Sequence, residues 1–374
     1  MSRSHSRSRR DTGIELARLL ACLIIVACHV YPSYMYNSTV DSSRLYLGCC
    51  FADGVAVFWM ITGCFLFRST YSKVLRNGAT RVLLPLVLVS LAGLVLNCLP
   101  IPSFVPDDPS RVVWGVLHWQ NVIFGLDHLW YLYVYLLVIL FFPLLKWIVQ
   151  WMDQKAERGL HFMAITLLLF ILNDFTGNTL FHFSHYRLAG AIPAAVQMIW
   201  GHLLYRNRRF FRGWISALLS AVLFFGLNFV RLFVARSTIL AEPSTNQILY
   251  WYSSIGMLCA ACVVVFCMSI FPSTKKRRRA EKSGLETAIL AGVSYSFMIY
   301  LFHFPIERIL MSYGLMYQVQ NLFFSTHSSI LMELAYTILM ALILLVLSTA
   351  LGWVVKQIIR LGRSLFSHKE AIEG

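Results

Sequence analysis

Charge is scarce in this chain of 374 residues. Asp, Glu, Lys and Arg together make up 13% of it, about half the roughly 25% found in soluble domains. With 58% hydrophobic residues and a mean hydropathy of +0.66, this shortage excludes a soluble globular domain, which would have too little polar surface to cover so much apolar side chain. Glycine-rich phosphate loops are missing as well. Neither a GxGxxG run nor a Walker pattern occurs, which removes the common dinucleotide- and P-loop-binding classes. No internal repeat and no appended soluble domain can be read.

Acidic residues are the scarcer sign: 17 Asp and Glu stand against 32 Lys and Arg, a net charge of +15. In a soluble protein such an excess would point to nucleic acid; here its placement along the chain argues otherwise. Nine cysteines are present. Cys22, Cys28, Cys64, Cys98, Cys259, Cys262 and Cys267 sit in apolar runs and Cys49 and Cys50 are adjacent, so free thiols acting as small hydrophobes are expected.

Apolar stretches long enough to cross about 30 Å of hydrocarbon as helix run over 14–34, 46–67, 82–99, 128–150, 188–205, 214–234, 248–271, 288–310 and 329–355, with a weaker one at 160–177. Of the Lys and Arg residues, 25 fall on one alternating set of connections and 6 on the other, leaving Arg18 inside the first helix. Positive charge stays on the cytoplasmic face. The expected fold is therefore an all-α integral membrane protein of about ten transmembrane helices with both termini cytoplasmic. It comprises a basic tail at 1–13, a membrane domain at 14–355 and a second tail at 356–374. The run KKRRRAEK at 275–282 becomes an inner-face anchor, and no nucleic-acid partner is expected. The basic start MSRSHSRSRRDTG resembles a signal peptide, but Glu15 and Arg18 inside the following run, and the lack of a small-residue cleavage site, predict a retained helix. The outer segment 100–127, with VVWGVLHWQNVIFGL, suits an interfacial or re-entrant helix, either a lid or a structural hairpin.

Charged side chains in hydrocarbon cost at least about 2.5 to 3.5 kcal/mol each, so Glu15, Arg18 and His29 in the first helix need a reason. Arg18 and His29 are eleven residues apart, which in a helix is about 20° beyond three turns and about 16 Å of rise. They share a face, with Arg18 near the inner surface and His29 in the outer half. Glu15 stands one turn before Arg18 and can pair with it. Snorkelling by Arg18 and packing by His29 would be the plain alternative.

Arg18-x10-His29 behind Glu15 resembles the first-helix signature of the acyltransferase family 3 membrane proteins. GVAVFWMITGCFLF at 54–67 is similar to that family's second helix, with Trp59, Thr62 and Cys64 where Phe, Ser and an aromatic are usual. Arg76 and Arg81 before Pro85 resemble its basic loop. HLWYLYVYL at 128–136 and SYSFMIYLFHFP at 294–305 resemble its H-L-W-Y-L and S-x-x-I-Y-L-x-H-x-P segments. The chain thus looks like an O-acyltransferase similar to the enterobacterial-common-antigen and O-antigen acetyltransferases, an enzyme moving groups other than aminoacyl groups in a bacterial plasma membrane.

The resemblance implies a cytoplasmic acyl-CoA donor, acetyl-CoA foremost, and as acceptor a hydroxyl of an extracytoplasmic envelope glycan or lipid-linked sugar, with no metal. Imidazole, with an ordinary pKa near 6.5, suits the base that takes the acceptor's proton, so His29 is the expected base, with Arg18 and Glu15 completing the catalytic set. Arg18, Arg76 and Arg81, with Thr62, are expected to hold the donor, whose anionic phosphates guanidinium forks suit. Asp127, His128, Trp130 and His303 are expected to bind the acceptor, while Tyr131, Tyr133 and Tyr135 fit an interfacial belt. His5, His118, His161, His182, His185, His202, His327 and His368 match no motif, and the HFSH pair at 182 and 185 reads as a solvated loop rather than a metal site. A flippase of polysaccharide intermediates, or an inactive membrane partner keeping the fold, is the competing reading.

Overall fold

A computed structural model describes residues 11–31, 42–98, 127–183, 188–236, 250–271, 283–324 and 329–373, with the backbone alone for 93–98, 127, 188, 324 and 362–373. The possible lid over 100–126 and the anchor at 275–282 lie outside the described residues. All regular structure described is helical. In chain order it runs α1 Thr12–Val30, α2 Ser42–Cys50, α3 Gly54–Leu66, α4 Tyr71–Gly78, a π turn Ala79–Leu83, and α5 Leu84–Cys98. Then come α6 Trp130–Leu140, α7 Phe142–Asp153, α8 Ala156–Phe175, α9 Ala191–Arg206, α10 Trp214–Arg236 and α11 Ser254–Ile270. The last are α12 Gly284–Val293, α13 Ser296–Ser312, α14 Leu315–Phe324 and α15 Ile330–Glu373.

Each of the ten apolar windows contains helix. Six helices or continuous helical stretches are long and apolar enough to cross a membrane, and eight do so if the pairs α6–α7 and α12–α13 each count as one span. The windows 188–205 and 248–271 hold helices of only 16 and 17 residues. Pro143, at the start of α7, lacks the N–H that would continue α6, and the pair bends by 69° there. Pro85 likewise removes the N–H that would close an α turn on Arg81, and the preceding residues open into the π turn. Large apolar side chains face outward along α10, among them Trp214, Leu218, Val222, Phe229 and Phe233. Exposure on this scale is what lipid covers and water does not.

The chain divides into two compact units, one of residues 1–25, 33–85 and 130–293, the other of 26–32, 86–129 and 294–374. In the first, α3 and α9 meet backbone to backbone. A Cβ on Gly63 would overlap the Met198 carbonyl and one on Gly201 the Met60 carbonyl, so glycine at both positions lets the helices touch, as small residues do between membrane helices. The Cys64 thiol uses the contact to reach Gly201 O at 3.3 Å. The cysteines whose side chains are described are free thiols.

Where this unit buries charge, it pairs it. Arg231, near the end of the 214–234 window and one of the six basic residues assigned to the less basic side, is instead fully buried within α10. Its guanidinium donates to both Asp53 oxygens at 2.9 Å, to Cys49 O at 3.1 Å and to Asn228 Oδ1 at 3.3 Å. Asp174 accepts from the Ser254 N–H at 2.8 Å and its hydroxyl at 2.6 Å, capping the start of α11. Asp153, at the end of α7, accepts from Arg206 at 2.9 Å and lies 3.1 Å from His202 Nε2, which places His202 in an ion network. In the second unit, Lys356 on α15 lies over the Tyr295 ring at 3.7 Å and donates to Ser294 O at 2.8 Å.

Removing one member of a buried ion pair costs about 3–5 kcal/mol, whereas replacing both with apolar groups is often neutral. R231M should therefore sharply lower the thermal midpoint of the detergent-purified protein, and D53L/R231M should recover much of it. Equal midpoints for R231M and the native chain would show that the pair contributes nothing.

Candidate active site

The first helix is continuous from Thr12 to Val30, so the eleven-residue spacing of Arg18 and His29 is a helical one. The expected ion pair is formed: Arg18 Nη1 donates to Glu15 Oε2 at 2.5 Å, with the carboxylate side chain 8% and the guanidinium 27% exposed. The pair tethers Arg18 by one carboxylate and leaves most of its donors unused. Arg76 and Arg81 are exposed, on α4 and in the π turn, and neither forms an ion pair among the described residues. The Thr62 hydroxyl donates to Phe58 O at 2.8 Å. An apolar cleft of about 320 Å³ touches α1 at Leu20 and Ile24, the side of that helix away from Arg18, and offers no polar group to a phosphate.

In the second unit, three histidines far apart in sequence come together. The His303 ring lies 5.3 Å from that of His29 and 5.3 Å from that of His128, centroid to centroid. Phe304 joins them, stacked on His128 at 4.9 Å and edge-on to His29 at 5.5 Å. Pro305 explains how His128 is fixed. Inside α13 it has no N–H to give Leu301 O. That carbonyl instead faces His128 Nε2 at 3.2 Å, and the Tyr300 hydroxyl donates back to the His128 main-chain oxygen. The H-L-W-Y-L and Y-L-x-H-x-P segments are thus two halves of one clamp.

Hydrogen-bond chemistry then assigns the protons. A ring nitrogen facing a carbonyl oxygen carries the hydrogen. His128 is therefore protonated at Nε2, and His303 at Nδ1, which faces Ile299 O at 3.0 Å and Tyr300 O at 2.9 Å. The other nitrogens, His128 Nδ1 and His303 Nε2, are buried without partners among the described residues. As neutral rings, they turn lone pairs into the protein interior. His29 is half-buried, and among the described residues neither of its nitrogens is held by a hydrogen bond. The three rings do not converge as metal ligands, and no group of three His, Cys, Asp or Glu does so among the described residues.

The remaining expected acceptor residues are placed differently. The Asp127 side chain lies outside those described. Trp130 belongs to the first unit, where its ring stacks on Trp251 at 5.4 Å. Tyr131 departs from the expected belt: its ring lies 4.0 Å from that of Trp59 and packs on the core. Sequence reasoning passed over several groups. Trp59 Nε1 and Gln197 Oε1 are buried without partners among the described residues, both beside Trp251, whose carbonyl Gln197 Nε2 reaches at 2.9 Å. Glu307, one turn after His303, is buried with Oε2 unpartnered, and Arg308 lies over Phe304. Glu307 and Arg308 were visible as charges inside an apolar window; the helix face each takes was not.

Leaving a buried carbonyl unsatisfied costs about 1–3 kcal/mol. Y300F should therefore lower the thermal midpoint and loosen His128, while a Tyr300 to Phe change at a merely apolar contact would leave the midpoint alone. An unchanged midpoint would refute the clamp.

Comparison with known families places these residues in a context. The model of a family described as an acyltransferase domain, acyltransferase family 3, matches residues 11–356. No curated protein and no solved structure matches the chain. The matched stretch takes in the Arg18–His29 helix, the His128 clamp and His303, and the chain is a multi-pass membrane protein that belongs to acyltransferase family 3.

Proposed function

We propose that the protein is an O-acetyltransferase of a bacterial plasma membrane, crossing it about ten times with both ends in the cytosol. It moves an acetyl group from cytoplasmic acetyl-CoA to a hydroxyl of an extracytoplasmic envelope glycan or lipid-linked sugar. The observation that carries this reading is the His29 ring, free of hydrogen bonds to described residues and set against two neutral imidazoles, on the same helix as the Arg18–Glu15 pair.

In this reading Arg18, Arg76 and Arg81 hold the donor's phosphates through forked, charge-assisted contacts, with Thr62 beside the arm. The thioester reaches outward along α1 toward His29. His29 takes the acceptor hydroxyl's proton as the oxygen attacks the thioester carbonyl; the carbon–sulfur bond then breaks, and the proton passes from His29 to the departing CoA thiolate. His303 and His128, neutral by their bonding, place no positive charge beside the imidazolium that forms. Asp127, His128, Trp130 and His303 are assigned to the acceptor side. The reaction as written needs no metal.

Loss of a general base costs about 10²- to 10⁴-fold. With labelled acetyl-CoA and the purified native chain, H29A should lose at least 10²-fold in acetyl transfer to envelope glycan while keeping its thermal midpoint. Unchanged transfer by H29A would remove His29 as the base. A chain that binds no acetyl-CoA yet moves a lipid-linked sugar across vesicles would replace the enzyme reading with transport.

A further inference from the structure

Arg308 lies one helical turn after Phe304 on α13, and its guanidinium carbon sits over the Phe304 ring, 4.8 Å from the centroid. The same ring contacts His128 at 4.9 Å and His29 at 5.5 Å. A cation stacked on an aromatic face is held in place while its N–H groups remain free. Among the described residues, Arg308 makes no ion pair and its side chain no hydrogen bond. Glu307, the neighbouring acid, leaves its Oε2 without a hydrogen-bond partner among the described residues and is not within ion-pair distance of Arg308. A half-buried guanidinium whose donors no described residue takes is costly in a membrane protein, and its fork matches a carboxylate or a phosphate.

The two legs through the Phe304 centroid, 4.8 and 5.5 Å, put the guanidinium carbon within about 10 Å of the His29 ring. An anion seated on Arg308 would therefore be close to the hydroxyl that His29 deprotonates. From this geometry, and resting on the acetyltransferase reading above, we infer that the acceptor is an acidic saccharide. Its carboxylate or phosphate is bound by Arg308 while a nearby hydroxyl is acylated. Arg308 is then a binding residue that selects the acceptor by charge.

The experiment compares charged and neutral members of matched pairs, hexuronic acids against their methyl esters and hexose phosphates against the parent hexoses. The purified full chain is supplied with labelled acetyl-CoA. Native protein should prefer the charged member at least tenfold in kcat/KM. R308Q should bring that ratio to about one, and R308K, a point charge without the fork, should keep part of it. Thermal shift provides a second readout: a hexose phosphate or hexuronic acid should raise the midpoint of the native chain but not that of R308Q. No charge preference in turnover together with no such shift would overturn the inference. So would an R308Q that loses charged and neutral acceptors in equal proportion, or stabilisation of the native chain by phosphatidylglycerol vesicles but by neither class of sugar. Hydrolysis of acetyl-CoA that survives in the native chain and is lost in H29A would leave the acetyltransferase reading standing even if the charge preference failed.

Discussion

Hydrocarbon offers no hydrogen-bond partner, and nearly every structural choice in this protein follows from that constraint. The backbone responds by forming helix wherever the described residues have regular structure. Side chains respond by pairing inside. Arg231 takes both oxygens of Asp53, Asp174 accepts from the N–H and hydroxyl of Ser254 that open α11, and Glu15 takes Arg18. Even the carbonyl that Pro305 orphans is used, because His128 arrives to donate to it. Against that background, polar atoms left without a partner mean something. Three of them, His128 Nδ1, His303 Nε2 and Glu307 Oε2, belong to the second unit together with Arg308, which forms no ion pair among the described residues. A proline, a tyrosine and three backbone carbonyls are so placed that imidazole lone pairs face the interior.

The two units manage the constraint differently. The first achieves close contact through glycine: with no Cβ at Gly63 or Gly201, α3 and α9 press together along a contact that a methyl group would prevent. Its buried charges are paired and have structural tasks, although Arg231 Nε, like Trp59 Nε1 and Gln197 Oε1, has no partner among the described residues. In the second unit the polar groups are left open on one side. An open network is a poor way to stabilise a helix bundle, and its persistence beside a half-buried histidine fits binding and proton transfer better than packing.

Local pattern made part of this legible. The Glu15–Arg18 pair follows from a three-residue spacing, and the all-helical membrane architecture from hydropathy alone. Pairing over long distance was not legible. Arg231 looked like an outer basic residue because its partner Asp53 lies 178 positions away. Tyr131 looked like an interfacial aromatic because nothing local announces Trp59 as its neighbour. His128 and His303 were singled out as acceptor residues by the resemblance, yet the tautomer of His128 depends on the Leu301 carbonyl that Pro305 frees, a three-dimensional consequence of a residue that sequence reading registers only as a helix irregularity. Arg308 was counted as a charge and given no task, because no spacing rule says that a guanidinium will rest on the ring beside the histidines.

The tautomers also bear on which histidine does the chemistry. A general base must take up a proton and release it again within one turnover, which is easiest where no existing hydrogen bond has to break. His128 and His303 each have one nitrogen committed to a backbone carbonyl. His29, half-buried, makes no hydrogen bond to a described residue, so taking a proton there breaks none. Two neutral rings held by backbone carbonyls beside one ring with no hydrogen bond to a described residue are the arrangement that the proposed role of His29 as base requires.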